Sequence, residues 1–162
     1  MKRLSFLFCL FVIFGLLLTT TAQAQDTSSG IEVEDAWIRA MPPTGKTTAA
    51  FMVIENSTAH EMILKSAACD VADMVQIHTM EQDGEIMKMK EIPELSIPAN
   101  GKRMLAPKGY HIMLIGLLRP IKENETIPIT LDFADGSSVV VGAVVRKWEP
   151  MGGGMMHGKH GS

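Results

Sequence analysis

Thr126-Ile127-Pro128-Ile129-Thr130-Leu131-Asp132-Phe133 is the stretch that decides the fold class. Strand side chains alternate between two faces, so Ile127, Ile129, Leu131 and Phe133 share one apolar face. Pro128 falls on the other face and has no N–H to give a ladder, which suits an edge or a late strand start. Similar short β-rich runs recur on either side of it. They are Ile31 to Arg39, Thr47 to Glu55, Met62 to Ser66, Val75 to Met80, Glu85 to Glu91, Lys102 to Leu105, His111 to Ile115 and Ser138 to Arg146. Turn residues separate them: Pro42-Pro43-Thr44-Gly45, Asn56-Ser57-Thr58, Asp83-Gly84, Asn100-Gly101, Lys108-Gly109 and Asp135-Gly136. Asp83-Gly84 between two runs predicts a hairpin. No run of helical length carries a 3.6-residue period, and Val71 to Met74 is expected to form at most one helical turn. This spacing of strands and turns predicts an all-β, antiparallel sandwich or barrel.

A chain of 162 residues with 46% hydrophobic and 20% charged residues builds one domain with a real core. Its net charge of −3 argues against nucleic acid as a partner, since such binders carry a basic footprint. Lys2-Arg3, the apolar run Leu4 to Leu18 and Ala22-Gln23-Ala24 read as an export signal over residues 1–24, cut before Gln25. The mature protein is then expected in the periplasm, with residues 25–30 as a polar leader. Cys9 leaves with the signal, and Phe6-Leu7-Phe8 lacks the small residues that precede a lipidated cysteine. Cys69 then has no partner for an internal disulfide and reads as a small buried hydrophobe.

The unusual residue is methionine, with 13 in the chain. Methionine fills core gaps, but its thioether is also a soft metal ligand. His78-Thr79-Met80 and His111-Ile112-Met113 each set an imidazole and a thioether two residues apart, on one face of a strand. Met87-Lys88-Met89 is another such pair. Zinc sites use thiolate, imidazole and carboxylate, and calcium and magnesium sites use oxygen. Imidazole with thioether points to copper, as Cu(I). His60 sits in a turn and reads as a solvated loop residue.

The spacing His78-x10-Met89-x21-His111-x-Met113 resembles the pattern of the periplasmic copper chaperones called PCu(A)C. Arg39-Ala40-Met41-Pro42-Pro43, Ala49 to Asn56, Gly109 to Leu117 and Leu118-Arg119-Pro120 resemble blocks of the same family. The likeness runs from Ile31 to Arg146. It implies a cupredoxin-like Greek-key β-sandwich, placed at residues 31–148, with Cu(I) held by His78, Met89, His111 and Met113. It implies delivery of copper to a copper-accepting cytochrome oxidase subunit or to another periplasmic chaperone. Met80 and Met87 would lie beside the ligands and shield the ion or hand it on, and Tyr110 would support His111. Cys69 stands where the family is expected to carry a small non-thiol residue.

Residues 149–162 form a Gly-rich tail bearing Met151, Met155, Met156, His157 and His160. In family members with such an extension the tail is implicated in Cu(II) binding, which adaptable imidazoles suit. The protein is expected to be monomeric and not an enzyme, since it has no Gly-x-Ser-x-Gly, CxxC or HExxH motif. The alternatives are copper storage or resistance, an oxidoreductase using Cys69 or copper, and a metal-free Met-rich sandwich.

Overall fold

A computed structural model describes residues 30–84 and 86–147. The export signal, residues 25–29 of the leader, Glu85, Trp148 and the Met/His tail with Met151, Met155, Met156, His157 and His160 lie outside the described residues.

Ten strands form among the described residues: β1 (Ile31–Arg39), β2 (Thr47–Asn56), β3 (Met62–Ala68), β4 (Ala72–Asp83), β5 (Ile86–Glu91), β6 (Leu95–Ile97), β7 (Gly101–Leu105), β8 (His111–Leu117), β9 (Thr126–Phe133) and β10 (Ser138–Arg146). No helix forms among them. Val71 to Met74 do not make a helical turn, because β4 begins at Ala72 and pairs with Leu117. β6, a strand the sequence does not announce, pairs with β3.

The strands join in one continuous path, β5-β4-β8-β2-β1-β10-β9-β3-β6, with β7 also on β2. The path does not close, so the fold is a sandwich made by one sheet doubling over, not a barrel. Its pairs are antiparallel except β1 with β10. Side chains from both halves meet in a single core, among them Leu64, Ile77, Ile112, Leu114, Ile129, Leu131 and Val145. The alternation in β9 is borne out, with Ile127, Ile129, Leu131 and Phe133 all buried.

Two irregularities shape the outer face of the β5-β4-β8-β2-β1 half. The first half of β2 pairs with β8 and the second with β7, so these two strands lie end to end along β2. Residues 106–109 between them have no place in the ladder and are extruded opposite Phe51, and Tyr110 bridges back to Leu105. The loop is held by Gly109 N–H to Ala106 O at 3.0 Å and Ala106 N–H to Tyr110 O at 2.8 Å. In β1 a bulge between Glu34 and Trp37, with Asp35 at φ 48°, brings Trp37 opposite Phe51. The two rings pack at 4.5 Å between centroids. Arg146 lies 4.7 Å over Trp37 and pairs with Asp35 at 2.9 Å.

Candidate metal centre

The ladder register builds this site. His78 is the direct partner of His111, and Gln76 of Met113, across β4 and β8. On its other side β4 places Met80 opposite Met89, and His78 opposite Glu91. Ile77 and Ile112, the in-between residues, point into the core. Period-two alternation therefore sends His78, Met80, Met89, His111 and Met113 to the outer face together. Ala49 lies beside Met113 on β2, and its small side chain leaves room above the sheet.

A cavity of about 330 Å³ opens there. His111, Met89 and Met113 line it, together with Met80, Met41 and Phe51. His78 is not one of its lining residues. It stands next to the cavity, its ring 5.8 Å from that of His111. Pro107 and Lys108 of the extruded loop form part of the wall. Phe51, at 6.2 Å from His111, connects the imidazole to the Trp37 pair.

Each histidine has one nitrogen engaged. His111 is only 4% exposed, and its Nδ1 lies 2.9 Å from the Gly109 carbonyl. A carbonyl only accepts, so Nδ1 donates and Nε2 keeps its lone pair. His78 Nε2 lies 3.1 Å from Gln76 Oε1, and the Gln76 amide donates to Glu91 at 2.8 Å. The network assigns the proton to Nε2 and leaves His78 Nδ1 as the lone-pair atom. That Nδ1 is buried with no hydrogen-bond partner. Burial, then the neighbouring His111, lowers the His78 pKa, and Glu91 partly offsets them. The neutral, ligating form is favoured.

Among the described residues no three His, Cys, Asp or Glu side chains converge in a way that holds a metal ion. The donors at this site are thus imidazole and thioether, a set suited to a soft monovalent ion. Cys69 follows the end of β3, is partly buried and does not line the cavity. Burial pushes its thiol up, which keeps it protonated and a poor nucleophile. Tyr110 is not a cavity residue, and the Arg103 guanidinium lies 5.5 Å over its ring. Met87 sits opposite Gln82, two pairs beyond Met89, and is 49% exposed. His60 is exposed, as expected of a turn residue. Gln76 and the Gly109 carbonyl escape a search for metal-binding residue types, and Met41 escapes a search for His-x-Met and Met-x-Met pairs because it belongs to none. Their only sequence signals are Gln76 two residues before His78 and Gly109 two before His111.

Comparison with known proteins fixes the fold. The copper-bound PCuAC domain from PmoF2 superposes with TM-score 0.62 at 20% identity, over 74% of this chain and 94% of that one. The solved Cu(I) form of DR1885 from Deinococcus radiodurans is 38% identical, with TM-score 0.59, over 71% of this chain and 76% of that one. The architecture is the cupredoxin-like sandwich of PCuAC domains. Residues 31–145 match the family model described as "Putative lipoprotein LpqE-like", and the chain belongs to this LpqE-like family. A relative from Leifsonia xyli subsp. xyli, "Putative lipoprotein Lxx21020", is 33% identical over 120 residues, covering 74% of this chain and 71% of that protein.

Proposed function

We propose that this protein is an exported copper carrier, which binds Cu(I) through His78, Met89, His111 and Met113 and passes it to a periplasmic acceptor. The opposed pair His78 and His111 carries the reading. Each ring has one nitrogen tied to an acceptor and one lone pair left for a ligand, and His78 Nδ1 is buried without a partner. A polar atom in that position is costly unless something fills its valence. The likeness to a protein solved with Cu(I) supports the same cargo.

The donor set also explains carriage without chemistry. Two imidazoles and two thioethers are neutral, which favours Cu(I) over Cu(II). Met89 lies on an edge strand and is 50% exposed, so an acceptor can displace it first. Export to the periplasm, cleavage before Gln25, a monomeric state and delivery to a cytochrome oxidase copper centre belong to the same proposal. The tail, through Met151, Met155, Met156, His157 and His160, takes additional copper as Cu(II).

Competition for Cu(I) against a Cu(I)-specific chelator tests the core site. His78→Ala and His111→Ala should each lose tight binding while the domain stays folded. Wild-type affinity in both would sink the reading. Deleting residues 150–162 should leave one Cu(I) bound and remove most Cu(II) binding. Undiminished Cu(II) binding by the truncated chain would end the tail's role.

A further inference from the structure

More sulfur faces the cavity than four ligands need. Met41 and Met80 line it alongside Met89 and Met113, whereas His78 does not. Met80 is the direct ladder partner of Met89. Directly opposed Cβ atoms lie about 4.5–5.5 Å apart, so two flexible thioethers at such positions can converge on one ion.

Met41 arrives from a different element, the turn after β1. That turn closes by Gly45 N–H to Pro42 O at 2.8 Å. A Cβ on Gly45 would come within 3.1 Å of Met41 Cβ and 3.3 Å of Met41 Cε. The glycine therefore leaves the space in which the Met41 side chain lies along its own turn. Packing alone does not require this placement, because Met41 is not part of the buried core cluster. The wall beside these sulfurs includes Lys108, whose charge disfavours a divalent ion more than a monovalent one.

We propose that Met41, Met80 and Met89 form a second soft-metal site in the same cavity, an all-thioether position through which Cu(I) enters and leaves the histidines. The proposal rests on the copper reading above. Movement between the two positions is ligand exchange: Cu–S bonds to Met41 and Met80 form as the Cu–N bonds to His78 and His111 and the Cu–S bond to Met113 break. Met89 belongs to both sets, so the ion is never without protein ligands. Copper stays Cu(I) throughout and no electron moves.

Ag(I) is the probe, being soft, monovalent and free of redox chemistry. Methyl NMR of methionine-labelled protein follows each thioether separately, including those of the tail. In His78→Ala/His111→Ala, Ag(I) should shift the methyl signals of Met41, Met80 and Met89. Adding Met41→Leu and Met80→Leu, which conserve volume, should weaken Ag(I) at that site by about tenfold or more, a substantial step in affinity. In the histidine-intact protein the same two changes should slow Cu(I) transfer to a chelator. Unmoved Met41 and Met80 methyls overturn the second site. Undiminished Cu(I) affinity in His78→Ala/His111→Ala instead overturns the four-ligand reading, and the methyl shifts still decide the sulfur site.

Discussion

His78 and His111 face each other across β4 and β8 as direct ladder partners, with ring planes inclined at 54°. Neither ring is free to reorient at no cost. His111 is tied to the Gly109 carbonyl, and His78 is tied through Gln76 to Glu91. Such outer partners fix the tautomer of a ligating imidazole and aim its lone pair.

Gln76→Ala is therefore expected to weaken Cu(I) by about 10–100-fold, as loss of an outer partner does at other metal sites. Gln76→Glu should not rescue it fully, because a second carboxylate beside Glu91 loses the amide bridge. Chelator competition reads both. Wild-type affinity in Gln76→Ala would show that the bridge positions nothing.

Acid should act on the same pair. Burial and His111 lower the His78 pKa in the folded chain below the ordinary histidine value of about 6.5. Below that value the unfolded chain binds the proton more readily than the folded one, so stability falls as pH falls. Above it His78 contributes no pH dependence. Urea unfolding between about pH 7.5 and 5 should show this loss, and His78→Gln should flatten it. Cu(I) affinity should drop as the pH falls through this range, since a proton competes with the ion for His78.

Two glycines separate backbone strain from collision. Gly84 and Gly116 both have positive φ, 64° and 69°. A Cβ at Gly84 meets nothing within 4 Å, whereas one at Gly116 would lie 2.8 Å from Asp73 Oδ2. Gly84→Ala should cost about 1–2 kcal/mol from the left-handed backbone alone. Gly116→Ala should cost clearly more, and Asp73→Ala should recover only the difference. Equal costs in thermal melts would remove the collision from the account.

Asn56 tests the core remote from the candidate metal centre. It is fully buried, and its amide donates to the carbonyls of His60 at 2.7 Å, Pro98 at 3.0 Å and Ile97 at 3.3 Å. Its oxygen accepts from Thr58 N–H and Oγ1. Asn56→Ala strands several of these groups and should destabilise the domain by about 2–3 kcal/mol. A denaturant midpoint close to wild type would contradict that, and Cu(I) binding at neutral pH should be retained.

The strands were legible where apolar alternation was strong and turn residues stood between them. β1, β9 and β10 fall at the residues their patterns predict. β6 was not legible because Leu95-Ser96-Ile97 is three residues long and lies between Pro93 and Pro98. Part of the candidate site was visible as paired His-x-Met and Met-x-Met residues, since a strand's period of two holds in any sheet. What escaped depends on register. Nothing local in the sequence says that β7 and β8 share one strand as partner, so the extruded loop and its Gly109 carbonyl could not be foreseen. Met41 reaches the cavity across a turn, and no periodicity connects it to Met80.

Every described side chain of β5 is exposed, and the strand has β4 as its one neighbour in the sheet. The free energy of opening a segment follows the burial and pairing it loses, so this arm should detach far below the cost of global unfolding. Its amides should exchange with solvent fastest among the strands near the cavity. Met89 travels with them. If Met89 holds copper as proposed, grip on the ion is then set by a local melting equilibrium at one margin of the molecule, and an acceptor that recruited β5 would loosen it while the doubled sheet stayed intact.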